Sequence, residues 1–347
     1  MPDQAPNEQS LEGQEASASA ALTVQDSPAL PLLVPGGWTI EGLPGPVRDA
    51  GPAAQRRLVE FFTAEIRNPN TRQAYAQAAS RFFQWCETRD LALGKITPFA
   101  VASYVEEMQE RHALPTVKQH LSAIRALLDY LVVGQVIPSN PATPVRGPKY
   151  VVKHGKTPVL SPTEARTLLD SIDLSRPTGI RDRALLATMV YSFARVGAVI
   201  SMNVEDYYQQ GKRWWLRLHE KGGKFHQVPA HHNAEQYLDA YLEAAGIAAE
   251  KGTPLWRSMT KGGAVTPNRM NRVDVFRMVK RRVRQASLGV AANCHTFRAT
   301  GITAYLLNGG SVENAQAIAA HESPRTTKLY DRTADEISLD EIERIVI

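Results

Sequence analysis

Five side chains in the second half of the 347-residue chain suit chemistry at a phosphodiester: Arg195, His295, Arg298, His321 and Tyr330. Arg195 follows the apolar or small pair Phe193-Ala194. His295 and Arg298 stand three apart in His295-Thr296-Phe297-Arg298, a spacing that puts both on one face of a helix. His321 precedes Tyr330 by nine residues. Cleaving a phosphodiester builds negative charge on the non-bridging oxygens, and two arginines can hold those oxygens with permanently charged, bidentate forks. A histidine one turn from an arginine can donate to the phosphate or accept a proton from the nucleophile, and a second histidine can add a donor. A phenol, with a pKa of about 10, is a weak nucleophile until cationic neighbours favour its phenolate. Each residue taken alone is as well explained by a helix cap, a surface ion pair or core packing; it is the set that points to chemistry. Tyr191, Tyr207, Tyr208 and Tyr305 are weaker candidates for the nucleophile than Tyr330.

These residues need elements to position them. Residues 161–347 open with the capping box Ser161-Pro162-Thr163-Glu164, proline standing at the first helical position. A helix over 181–193 is expected next, followed by alternating strands over 214–219 and 224–229. Lys221-Gly222-Gly223-Lys224 joins the strands, its paired glycines supplying the positive φ of a tight turn. Helices are expected at about 232–245, 268–285, 295–308, 311–320 and 323–331. Upstream, residues 53–145 read as helical. One helix from Asn70 or Thr71 to Glu87, a second from Thr97-Pro98 to Glu110 and a third from Pro115 are expected, with a short helix before Pro138. In the third, Val117, Leu121, Ile124, Leu128 and Leu131 form one buried stripe, with Lys118 and Arg125 off it on a face that can meet phosphates. Residues 146–160 form a proline-rich basic linker carrying Arg146 and Lys149.

Taken together, Ala194-Arg195-Val196-Gly197, the Lys221-Gly222-Gly223-Lys224 hairpin, His295-Thr296-Phe297-Arg298 and the Ala320-to-Tyr330 segment resemble the tyrosine recombinase (phage integrase) family in order and approximate spacing. The resemblance covers residues 53–347. It implies a mainly α fold with a small β-sheet: a helical, SAM-like core-binding domain at 53–145 and a mixed α/β catalytic domain at 161–347. It implies that Tyr330 attacks to form a 3′-phosphotyrosyl link while a 5′-hydroxyl leaves. Lys221 matches the family's hairpin lysine, which would protonate that leaving oxygen, and Lys224 is the alternative. It further implies a tetramer that exchanges strands through a Holliday junction, with the final apolar helix docking on a neighbouring copy. The sequence departs from the family at Ala198, where an acid often stands three residues after the first arginine; Glu205 and Asp206 are the substitutes nearest in sequence. A type IB topoisomerase and a catalytically impaired DNA-binding accessory protein are the alternative readings.

Charge agrees with a polyanionic partner. Residues 1–50 carry seven acids against Arg48, a net −6, which leaves +11 on the other 297 residues and +5 overall. That segment belongs to an acidic, Pro/Ala-rich tail, residues 1–52, expected to be disordered. The stretch 272–284 sets Arg272, Arg277, Lys280, Arg281, Arg282 and Arg284 against the one acid Asp274, a basic amphipathic helix in which Arg277, Lys280 and Arg281 are candidate phosphate contacts beside Lys118, Arg125, Arg146, Lys149 and Lys224. The expected partners are double-stranded DNA and further copies of the chain. No metal site and no cofactor are expected, because arginines take the place of the cation. No segment has the length and apolarity of a membrane span, and two cysteines suggest reduced thiols, so a bacterial cytoplasmic, nucleoid-associated protein is expected.

Overall fold

The computed structural model describes residues 42–151, 155–220, 225–331 and 343. Lys221, Lys224, most of the acidic tail and all but Glu343 of the final apolar segment lie outside them. The chain divides into two compact units between Tyr150 and Val151.

The first unit is helical: α1 Gly45–Arg48, α2 Pro52–Glu60, α3 Pro69–Glu87, α4 Pro98–Arg111 and α5 Leu114–Val133. Proline in the first turn recurs in all five, where its missing N–H costs nothing. The helical unit reaches upstream of the expected boundary at 53, because Leu43 and Val47 are buried in its core. Asn68, rather than Asn70 or Thr71, caps α3 by accepting from the backbone of both. The α5 stripe is buried as expected, against Phe61, Phe62, Phe82, Phe83 and Tyr104. Two expectations fail here. No helix forms between Gly134 and Pro138; the chain runs through turns instead. Arg125 does not face outward: its guanidinium donates to the carbonyls of Ala142 (3.1 Å) and Val145, fastening α5 to the segment that follows.

The second unit carries α6 Pro162–Asp170, α7 Pro177–Tyr191 and α8 Val196–Ser201, then an antiparallel sheet in the order β1 (Tyr207–Gln210), β2 (Arg213–His219), β3 (Phe225–Pro229). The Ser161–Glu164 capping box is present in full. After α9 (His232–Ala245) come β4 (Arg257–Met259) and β5 (Val265–Arg269), then α10 (Arg272–Gln285), α11 (Cys294–Leu307), α12 (Val312–Ile318) and α13 (Pro324–Lys328). The sequence reading missed β1, β4 and β5. Helix α10 starts four residues later than expected because β5 occupies 265–269 and Asn271 caps the helix.

The basic helix α10 is divided in its roles. Arg282 is buried and donates through Nε (2.9 Å) and Nη2 (2.7 Å) to Asp182, itself fully buried on α7 and also bound by Arg181. Arg281, half-exposed, reaches the same carboxylate at 3.0 Å. Removing one partner of such a buried set is strongly destabilising, so Arg282 and partly Arg281 are structural. Lys280 lies over the Phe276 ring, and Arg277 is exposed.

Candidate active site

Arg195 sits at the start of α8, just past a tight corner. Phe193 adopts a left-handed backbone (φ 53°), which turns the chain between α7 and α8 and leaves the Arg195 side chain 44% exposed. The α11 helix packs against that corner so closely that a Cβ on Gly301 would meet the Val190 carbonyl at 2.0 Å. Close approach lets Arg298, on the same helix and 1% exposed, reach across. Its Nη1 donates to the Phe193 carbonyl and its Nη2 to the Ala319 carbonyl at 2.7 Å. Its Nε is buried and has no partner among the described residues.

The second corner delivers His321. Helix α12 ends at Ile318, and Ala320 takes a left-handed backbone (φ 47°), a common way to close a helix. His321 then binds Thr327 through Nδ1 at 2.8 Å and stacks its ring on Tyr330, 8° from parallel and 5.8 Å between centroids.

Tyr330 follows α13 and is 7% exposed. Its backbone is held by Thr303, whose hydroxyl donates to the Tyr330 carbonyl at 3.0 Å. Its ring packs with Phe193, Ile302, Leu306 and Ala319. Its hydroxyl lies 2.6 Å from His295 Nε2 and against the Arg298 guanidinium. Arg195, His295, Arg298, His321 and Tyr330 therefore gather around one phenol oxygen, drawn from four segments of the second unit.

Burial dominates the electrostatics. It pushes His321 down to about 3 and lowers His295, each helped by the charges of Arg298 and Arg195, so both imidazoles are neutral near pH 7. Burial and the neighbouring Arg195 bring Arg298 to about 10, still charged at neutral pH. The Tyr330 phenol is raised, not lowered: the two arginines, Arg298 and Arg195, do favour the phenolate, as expected, but burial outweighs them. With the phenol protonated, neutral His295 is placed to accept its proton.

These shifts set an acid limit on stability. A histidine held neutral in the fold is protonated first in the unfolded chain, so His321, and His120 in the helical unit at about 4, stabilise fully above their ordinary value of 6.5. Stability is lost as pH falls through 6.5 towards those folded values, by up to about 1.4 kcal/mol per histidine per pH unit. Urea midpoints measured from about pH 8 to 5 are expected to fall in the acid half, and His321→Asn to flatten the fall. A pH-independent midpoint would contradict the assignment.

The sequence reading missed Glu220. It directly follows β2, is 9% exposed, and accepts from Arg195 Nη1 at 2.6 Å. Neither suggested substitute for the missing acid does this: Asp206 binds the Asn203 backbone, His219 and Arg217, and Glu205 is exposed. Only the pairing of Arg195 with a residue 25 positions away could have shown it, and no local pattern encodes that. Lys118, Arg146 and Lys149 are exposed, as phosphate contacts need to be.

A phenol ringed by two guanidiniums and two neutral imidazoles, held by helices packed beside a small sheet, is the arrangement expected of enzymes that break and rejoin phosphodiesters through tyrosine. Residues 158–336 match the phage integrase family, and residues 60–134 match the phage integrase N-terminal SAM-like domain. The chain belongs to the phage integrase family, the site-specific tyrosine recombinases, which are DNA strand-transferring enzymes. It is 30% identical over 242 residues to tyrosine recombinase XerC of Chlamydia caviae, covering 70% of this chain and 75% of that one. With XerC of Myxococcus xanthus it shares 26% over 285 residues, 79% of this chain and 92% of that one. Among solved structures, the fold resembles XerH bound to a palindromic difH substrate in a post-cleavage complex, with TM-score 0.65, 16% identity, and 86% and 85% of the two chains covered. It also resembles a lambda integrase (75–356) dimer bound to a COC′ core site, with TM-score 0.62, 17% identity, and 83% and 98% covered.

Proposed function

We propose that the chain cuts and rejoins duplex DNA at specific sites by transferring a 3′ phosphate to Tyr330. The observation that carries this is the 2.6 Å approach of His295 Nε2 to the Tyr330 hydroxyl beside the charged Arg298. His295 takes the phenol proton as the oxygen attacks phosphorus. Arg195 and Arg298 hold the non-bridging oxygens, with His321 as a further donor. The 5′-hydroxyl leaves with a proton from Lys221 or Lys224. The phosphotyrosyl bond conserves the energy of the bond broken, so rejoining needs no ATP, and the arginines supply the positive charge for which other strand-cutting enzymes use divalent cations. Lys118, Arg146, Lys149 and Arg277 are the exposed bases suited to the DNA backbone. Four copies acting on two sites through a Holliday junction complete the reaction, a reading supported by the likeness to the fold of a lambda integrase tetramer bound to a Holliday junction. A site of action at cytoplasmic, nucleoid DNA follows from that substrate.

A suicide DNA duplex, nicked so that the leaving strand diffuses away, tests the reading. Covalent protein–DNA adduct is expected in EDTA and without ATP, with the DNA on the tryptic peptide 329–332, which contains Tyr330. Absence of adduct in the wild type would leave a DNA-binding accessory protein, and adduct with supercoil relaxation but no junction would indicate a topoisomerase.

A further inference from the structure

Arg195 stands in an electrically unfavourable place. It occupies the start of α8, where unpaired backbone N–H groups carry partial positive charge, and the first turn of that helix contains no acid. Ala198, one turn on, is apolar and 3% exposed. Arg195 lies close enough to the Arg298 guanidinium to disfavour the charge of Arg298. A long, half-exposed side chain in such a field needs a counter-charge to hold one orientation.

We infer that Glu220 is the positioning residue for Arg195: from the root of the β2–β3 hairpin it fixes the guanidinium that is to hold the scissile phosphate. The 2.6 Å bond from Arg195 Nη1 engages one edge of the fork among the described residues. The hairpin root is itself anchored on two sides. His219, the residue before Glu220, is held by Asp206 at 3.0 Å and meets Phe225 across the strand pair. On β3, His226 Nε2 lies 2.9 Å from the Ile318 carbonyl, at the end of the helix that leads to His321. Glu220 thus has a fixed base, and its charge also favours the protonated form of Arg298. Because Lys221 is the next residue in the chain, one short segment sets Arg195 and carries a candidate proton donor to the leaving group.

This inference rests on the reading of Arg195 as a phosphate-holding residue. The test compares wild type and Glu220→Gln, an isosteric change, on the suicide duplex and on the same duplex with a methylphosphonate at the scissile position. That substitution removes the charge of one non-bridging oxygen and with it part of the demand on the arginine. On the ordinary phosphate at saturating DNA, Glu220→Gln is expected to slow adduct formation about 10²-fold, the scale of a misplaced reacting group, with DNA affinity and urea midpoint near wild type. On the methylphosphonate the gap between the two proteins is expected to shrink to about threefold or less, and Glu220→Asp to keep part of the ordinary rate. A Glu220→Gln rate equal to wild type, or the same deficit on both substrates, overturns the inference. No adduct in the wild type on either substrate would instead be a failure of the proposed function.

Discussion

Replacing Tyr330 with phenylalanine is expected to remove covalent attachment to DNA by more than about 10⁴-fold, the scale reached when the nucleophile of a concerted set is deleted. Folding and DNA binding are expected to change little. The ring contributes most of what Tyr330 gives the fold: it packs with Phe193, Ile302, Leu306 and Ala319 and stacks on His321. Phenylalanine keeps all of that. The lost hydroxyl removes one hydrogen bond to His295, worth about 0.5–1.5 kcal/mol. Urea midpoint and gel-shift affinity are the control measurements, and adduct yield on the suicide duplex is the readout. Three of the rival tyrosines are engaged elsewhere. Tyr191 accepts from Asn233 and stacks on His231, Tyr207 donates to Asp239, and Tyr208 lies under Arg217. Adduct at the wild-type rate in Tyr330→Phe would move the nucleophile elsewhere.

The sequence carried the parts of the fold and of the site that local rules encode. Spacing alone put His295 and Arg298 on one face, the stripe in α5 marked its buried side, and Ser161 with Glu164 announced the start of α6. What stayed hidden depends on partners far along the chain. A periodic pattern counts Arg282 as one more solvated base; its burial follows from Asp182, a hundred residues earlier. Arg125 falls off the apolar stripe, yet its bonds to Ala142 and Val145 fold it inward. Strands β4 and β5 are three and five residues long, without the alternation that marks a longer strand. Glu220 belongs to the same group, since no rule of spacing links it to Arg195. The direction of the Tyr330 shift was hidden for another reason. Counting nearby charges is possible from sequence, whereas weighing them against desolvation requires knowing how deeply the phenol is buried.

Changing Arg298 to lysine is expected to damage fold and chemistry together, unlike the change at Tyr330. Two corners with left-handed residues, at Phe193 and Ala320, present Arg195 and His321. One guanidinium bridges them, through the carbonyls of Phe193 and Ala319. Lysine keeps a positive charge but brings a single ammonium in place of a planar fork, so it cannot span both carbonyls and still face the phosphate. A buried carbonyl left without a donor costs about 1–3 kcal/mol, and loss of one preorganised phosphate contact about 10²–10³ in rate. Arg298→Lys should therefore lower the urea midpoint and slow adduct formation beyond what its instability explains, measured where the variant is still fully folded. Arg298→Met, which retains bulk and loses the charge, should cleave more slowly again. Equal cleavage by the lysine and methionine variants would mean that charge at this position does not act on the phosphate. A lysine variant of wild-type stability would mean that the two corners hold their shape without the guanidinium, and that Arg298 serves the reaction alone.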